Sequence, residues 1–169
     1  MSGLVKLNNK WLRELDAKNK GELGEAIVET HLRSILRSAP ERFVHSTEPT
    51  SIENLRVRRS TITSYNITSS EQNTDVETWT PDVSLMIEIY GPSSEMLTIL
   101  TEVKTGQYAE LKENQKKVMG VINKRKNILV LRSSIKLDSD EFVDINYSTI
   151  KSDSDAKTGY RLIPFELSD

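Results

Sequence analysis

Cysteine is absent from this 169-residue chain. That one absence excludes disulfides, thiolate zinc sites, iron–sulfur clusters and cysteine nucleophiles together. Long apolar runs are missing too, since none approaches the roughly 18–20 residues that span a bilayer. The opening Met1-Ser2-Gly3-Leu4-Val5-Lys6 has no apolar secretory core. No membrane association is therefore expected, and a cytoplasmic location is (the host cytoplasm for a viral chain). Histidine is scarce: His31 and His45 are the only two, neither has a partner at ligand spacing, and both read as structural or exposed. No P-loop, Rossmann glycine fingerprint or Gly-x-Ser-x-Gly elbow occurs, so no nucleotide cofactor is expected. Nor is charge of one sign in large excess. With 23 Lys+Arg against 25 Asp+Glu the net charge is −2, which argues against a strong sequence-independent grip on nucleic acid. A local basic face can still coexist with an acidic average, and metal-binding carboxylates count against the total until the ion arrives.

The length fits a single domain over 1–169 that buries one core, and 36% hydrophobic with 28% charged residues places it among globular proteins. Trp11, Leu12 and Leu15 lie at helical spacing and predict a short amphipathic helix over 7–18, with a turn at 18–21. A long helix follows over 22–38, with Val28, Leu32 and Ile35 on one face and Pro40 beyond its end. Residues 42–70 are rich in β-branched residues and predict two or three strands, whereas 69–80 reads as a polar loop. Val83, Leu85, Ile87 and Ile89 alternate with more polar neighbours, the period of a strand with one apolar face. After turn chemistry at Gly91-Pro92-Ser93-Ser94 comes a second strand, Leu97 to Val103, so the two should form an antiparallel hairpin. A second long helix over 107–125 and a buried strand over 127–132 complete the core, and edge strands are expected near 142–145 and 160–163. This order predicts an α/β fold with a central mixed β-sheet flanked by helices on both faces.

The chemistry gathers at one end of the hairpin. Glu102 and Lys104, two apart on a strand, point to the same side while Val103 faces the core. If the hairpin pairs through 91–94, facing residues sum to about 185, which sets Asp82 opposite Val103 or Lys104. Two carboxylates suit Mg²⁺, which prefers hard oxygen ligands and keeps waters for phosphates and nucleophile. A neighbouring lysine can position or help deprotonate that water. Glu-x-Lys alone is equally an ordinary surface ion pair at a strand end; Pro81-Asp82 at the start of the paired strand gives it weight. Glu25 lies about 60° from the centre of the first helix's apolar stripe, where it either leans over the sheet or simply complements the helix N-terminus. Gln115 interrupts the stripe Tyr108, Leu111, Val118, Met119 and Ile122, where an aliphatic residue is expected. A buried amide needs partners or costs about 1–3 kcal/mol, and these would come from the backbone or from a polar site at the sheet edge.

Taken together, Gly21-x-x-x-Glu25, Pro81-Asp82, Glu102-Val103-Lys104 and a following helix with Gln115 resemble the PD-(D/E)xK nuclease superfamily over about residues 20–132. Glu-Val-Lys-Thr-Gly followed by Leu111 and Asn114-Gln115 is similar to its archaeal and viral branch, with Holliday-junction-resolvase-like and RecB-like members. The resemblance implies a restriction-endonuclease-like core in the order α-β-β-β-α-β and a Mg²⁺-dependent DNA endonuclease, with Mn²⁺ able to substitute. It further implies Asp82, Glu102 and the Val103 carbonyl as metal ligands, Glu25 assisting metal or water, Lys104 serving the nucleophilic water, and Gln115 orienting the site. The segment before Pro81 is longer than in minimal resolvases, and the missing cysteines exclude the iron–sulfur RecB-like subtype. A catalytically silent DNA-binding or scaffolding protein on the same fold is the alternative. Arg56 and Arg58 on one side of a strand (with Arg59 beside them), and Lys112, Lys116 and Lys117 on the second helix, followed by Lys124, Arg125 and Lys126, are either solvated faces or contacts to phosphate. Trp79 reads as a packing residue, with base stacking as the alternative. One site per chain acting on a duplex favours a symmetric homodimer.

Overall fold

The computed structural model describes residues 15–40, 43–45, 54–68, 76–90, 94–106, 110–136, 144–149 and 160–162. In chain order these form α1 (Ala17–Ser38), β1 (Phe43–His45), β2 (Leu55–Arg59), β3 (Tyr65–Thr68), β4 (Val76–Trp79), β5 (Val83–Ile89), β6 (Glu95–Thr105), α2 (Glu113–Ile122), β7 (Ile128–Lys136), β8 (Asp144–Thr149) and β9 (Tyr160–Leu162). Five strands make the central sheet in the order β2-β5-β6-β7-β8. All its neighbours are antiparallel except β6 and β7, which run parallel. A parallel pair needs a crossover, and α2 supplies it. The sheet is thus mixed, with helices on opposite faces. Two further two-stranded sheets pair β1 with β9 and β3 with β4.

Each face has its own core. Val28, Leu32, Ile35 and Leu36 of α1 pack on Leu85, Ile87, Ile99, Val103 and Leu131. On the other face Val118, Met119 and Ile122 of α2 pack with Leu100, Val130 and Trp79. Such spacing on both helices is the i, i+3, i+4 stripe that drives an amphipathic helix onto a sheet. Among the described residues no helix is long and apolar enough to cross a membrane.

Several boundaries differ from the sequence reading. Helix α1 starts at Ala17, not after a turn at 18–21, because Asp16 caps it by accepting the Asn19 N–H at 2.9 Å. Helix α2 begins only at Glu113 and ends at Ile122, shorter than 107–125. Residues 69–80 are not wholly a loop, since Val76–Trp79 is a strand paired with β3. Its Trp79 ring is drawn into the α2 core, a tertiary gain that overrides weak local strand preference. Strand β7 runs on to Lys136, four residues beyond Arg132. The β5–β6 register sums to 184 rather than 185, as in Ile89↔Glu95 and Val83↔Thr101. The connection is therefore five residues, Tyr90 to Ser94, and its odd length moves every facing pair by one. The helix expected over 7–18 lies, through residue 14, outside the described residues, as do Tyr108 and the 91–93 turn.

Candidate active site

The end of the β5–β6 hairpin remote from its turn holds the acidic residues. Asp82 immediately precedes β5, its N–H donates to the Thr101 carbonyl at 3.0 Å, and its Oδ2 accepts the Val103 N–H at 2.7 Å. The carboxylate is thus tied to the strand carrying Glu102 and Lys104, one residue from the predicted opposition. Strand alternation turns Val103 to the α1 face and Glu102 to the α2 face. Helix α1 brings Glu25 from the other side, close enough to Asp82 for each carboxyl to shift the other's pKa.

That approach depends on Gly24. A Cβ there would collide with the Thr105 Oγ1, whereas Gly21 faces open space. The sequence motif had singled out Gly21; the close helix–strand contact belongs to Gly24. Gly106 ends β6 with φ +109°, a left-handed conformation that glycine adopts without strain.

Glu102 is 4% exposed and accepts three hydrogen bonds. Lys104 Nζ and Gln115 Nε2 donate to Oε1 at 3.0 and 2.6 Å, and Trp79 Nε1 donates to Oε2 at 2.7 Å. Buried carboxylates survive only with such partners. Gln115 has both its needs met, because its Oε1 also accepts the Lys112 N–H at 3.0 Å at the start of α2. The amide in the apolar stripe therefore joins the helix N-terminus to the strand carboxylate.

Burial raises the pKa of two of these carboxyls, Asp82 and Glu25. Burial pushes Asp82 up to about 7, helped by Glu102 and Glu25 and opposed by the Val103 hydrogen bond and Lys104. Glu25 is also raised, first by burial, with the Asp82 side chain opposing and Glu102 and Glu22 adding. A family model described as a PD-(D/E)XK nuclease superfamily domain matches the chain over residues 18–147. The chain belongs to the PD-(D/E)XK nuclease superfamily. No curated protein and no solved structure matches it.

Nucleases of this superfamily generally use divalent metal ions, and the donors here are hard oxygens of the kind Mg²⁺ selects. The Asp82 and Glu25 carboxyls are raised first by burial and then by neighbouring carboxylates, and a cation among them would favour their charged forms. Of about four acceptor positions on the Glu102 carboxylate, three are filled, which leaves one on Oε2. The donor set fits such an ion. Among the described residues, however, no group of three or more His, Cys, Asp or Glu already stands at metal-holding distance.

The predicted basic residues lie on β2 and on or beside α2. Arg56 and Arg58 are exposed on edge strand β2, with Arg58 3.4 Å from Glu88. Lys112, Lys116 and Lys117 are exposed on and beside α2; Lys116 pairs with Glu113 at 2.9 Å and Lys117 with Glu77 at 3.2 Å. Arg59 turns to α1 and pairs with Glu29 at 2.6 Å. His31 is structural, stacked on Tyr147 and 2.9 Å from its hydroxyl, while the His45 side chain lies outside the described residues. Trp79 is the contact that sequence reasoning missed. It was read as a packing residue, and it is 2% exposed, but its N–H also reaches the buried carboxylate. An indole two residues before Pro81-Asp82 was the only signal available.

Proposed function

We propose that this protein is a metal-dependent DNA endonuclease, a single catalytic domain that hydrolyses phosphodiester bonds by attack of water. One observation carries the proposal: Asp82 is locked to the Val103 N–H at 2.7 Å while Lys104 Nζ lies 3.0 Å from Glu102, so carboxylates and lysine meet at one end of the hairpin. Asp82, Glu102 and the Val103 carbonyl, with Glu25 assisting, would hold Mg²⁺, or Mn²⁺ in its place. The ion supplies positive charge to the attacked phosphate and acidity to the attacking water.

The chain's own residues do the rest. Lys104, whose side chain is mostly buried, is aimed by Glu102 and presents its ammonium to the water and the phosphate oxygens. Gln115 holds Glu102 from the α2 side, and Asp82 fixes the strand end through its backbone contact. Substrate is held by Lys112, Lys116, Lys117, Arg56 and Arg58 through phosphate contacts that position without reading sequence. A symmetric homodimer would present two sites to the two strands of a duplex.

A second reading, a silent DNA-binding or scaffolding member, is favoured by the three hydrogen bonds already filled on Glu102. Cleavage assays over single-stranded, duplex, flap and four-way DNA with Mg²⁺ or Mn²⁺ separate the two. Metal-dependent product supports the nuclease; DNA binding that needs no metal and yields no product supports the silent member.

A further inference from the structure

Resting on the metal-binding reading above, we propose that Trp79 is a positioning residue of the active site: its indole N–H fixes the orientation in which Glu102 meets the metal ion. Lys104 shares the strand of Glu102, and Gln115 comes from the helix that follows it. Trp79 comes from the β3–β4 hairpin, outside the five-stranded sheet, yet it donates the only described hydrogen bond to Oε2, at 2.7 Å. That is the oxygen with an acceptor position left, so its direction is the one that matters for a cation. An N–H donated to a carboxylate is among the stronger hydrogen bonds available to a protein.

The hairpin is built to hold the indole still. The ring is buried among Leu100, Leu111, Val118 and Met119. Tyr65 packs on it with centroids 6.2 Å apart, and the Arg125 guanidinium lies 5.9 Å from the Tyr65 ring centre. Glu77, two residues away, pairs with Lys117 of α2 at 3.2 Å. Packing alone would account for a phenylalanine here. The buried N–H aimed at a carboxylate is what a phenylalanine would lack. Groups that orient a ligand-bearing carboxylate tune metal affinity as well as geometry.

The test follows the Trp79 indole ¹⁵N–¹H resonance in the full chain and measures Mg²⁺ affinity by calorimetry, with Trp11→Phe as background so that Trp79 is the sole indole. The resonance should shift saturably with Mg²⁺. Trp79→Phe should stay folded and bind Mg²⁺ roughly 10–100-fold more weakly, the range typical for loss of a group that orients a metal ligand. Because removing a buried ring can disturb folding, the resonance is also recorded in Glu102→Gln without metal, where the indole is intact. It should move there, since its acceptor changes from an anion to a neutral amide. Wild-type Mg²⁺ affinity in a folded Trp79→Phe, or an unmoved resonance in Glu102→Gln, would overturn the role of Trp79 while leaving the nuclease reading in place. Absence of saturable Mg²⁺ binding in the parent protein would overturn the metal reading and this inference with it.

Discussion

Replacing Asp82 by asparagine should stabilise the metal-free protein while removing its proposed function. The Asp82 carboxyl is raised from the ordinary aspartate value of 3.8 to about 7 by burial and by its acidic neighbours. A group that binds its proton more tightly in the folded state favours folding at low pH. That contribution is complete below the unfolded value and is lost as pH rises through the folded one. The window therefore runs from about pH 4 to about pH 7, and above it the folded protein carries a charge that the unfolded chain accommodates more easily. Undiscounted, the shift corresponds to about 4 kcal/mol; with Asp82 still partly in water, screening reduces this to about 1–2 kcal/mol. Asparagine keeps an oxygen to accept the Val103 N–H and carries no charge at any pH. In a chain of this size the melting temperature should rise by about 2–8 °C near pH 8 in EDTA. The gain should vanish near pH 4, and Mg²⁺ should raise the melting temperature of the parent but not of Asp82→Asn. Differential scanning calorimetry across that range reads all three effects. An Asp82→Asn protein that melts at or below the parent near pH 8 would refute the electrostatic reasoning.

Gln115→Leu should cost about 1–3 kcal/mol in urea denaturation, because the Lys112 N–H loses its acceptor and buried Glu102 a donor; unchanged stability would mean that water or another side chain fills both roles. Gly24→Ala should push α1 off β6, lower stability and reduce cleavage, since its Cβ would meet the Thr105 hydroxyl. Thr105→Ala should restore both in the double variant and be nearly neutral alone, because the hydroxyl is buried without a hydrogen-bond partner; failure of that rescue would mean that the contact does not set the helix position. Neutralising Lys116 and Lys117 together should flatten the salt dependence of DNA affinity, measured in Ca²⁺ to suppress cleavage, by up to about two units of log–log slope. An unchanged slope would direct the search to Arg56 and Arg58.

Much of the sheet was legible in the sequence because its signal is local. Val83 to Ile89 alternates with the period of two that a half-buried strand requires, and the apolar stripe of α1 follows the helical period from Val28 to Leu36. Glu102, Val103 and Lys104 were assigned to their sides by the same alternation, and Val103 does join the α1-face core while Lys104 bonds Glu102. What was not legible depends on contacts between distant segments. The strand at Val76–Trp79 has little local signal and exists because Trp79 docks on α2, far along the chain. The one-residue register difference came from a connection of five residues where a four-residue turn motif had been taken as the centre. The start of α2 at Glu113 was hidden because Gln115 acts on both the helix N-terminus and Glu102, and neither partner is visible from periodicity. For Gly24 the requirement comes from a strand about eighty positions away, so Gly21 was the more conspicuous glycine in the motif.

The most direct test of the proposed site compares the parent protein with Lys104→Ala for DNA cleavage and for Mg²⁺ binding measured side by side. Lysine is assigned to the water and the phosphate, so Lys104→Ala should bind Mg²⁺ close to the parent affinity and yield no product, while the parent cleaves with Mg²⁺ or Mn²⁺ and stops in EDTA. Turnover by Lys104→Ala at the parent rate, or parent cleavage that persists in EDTA, would contradict the account.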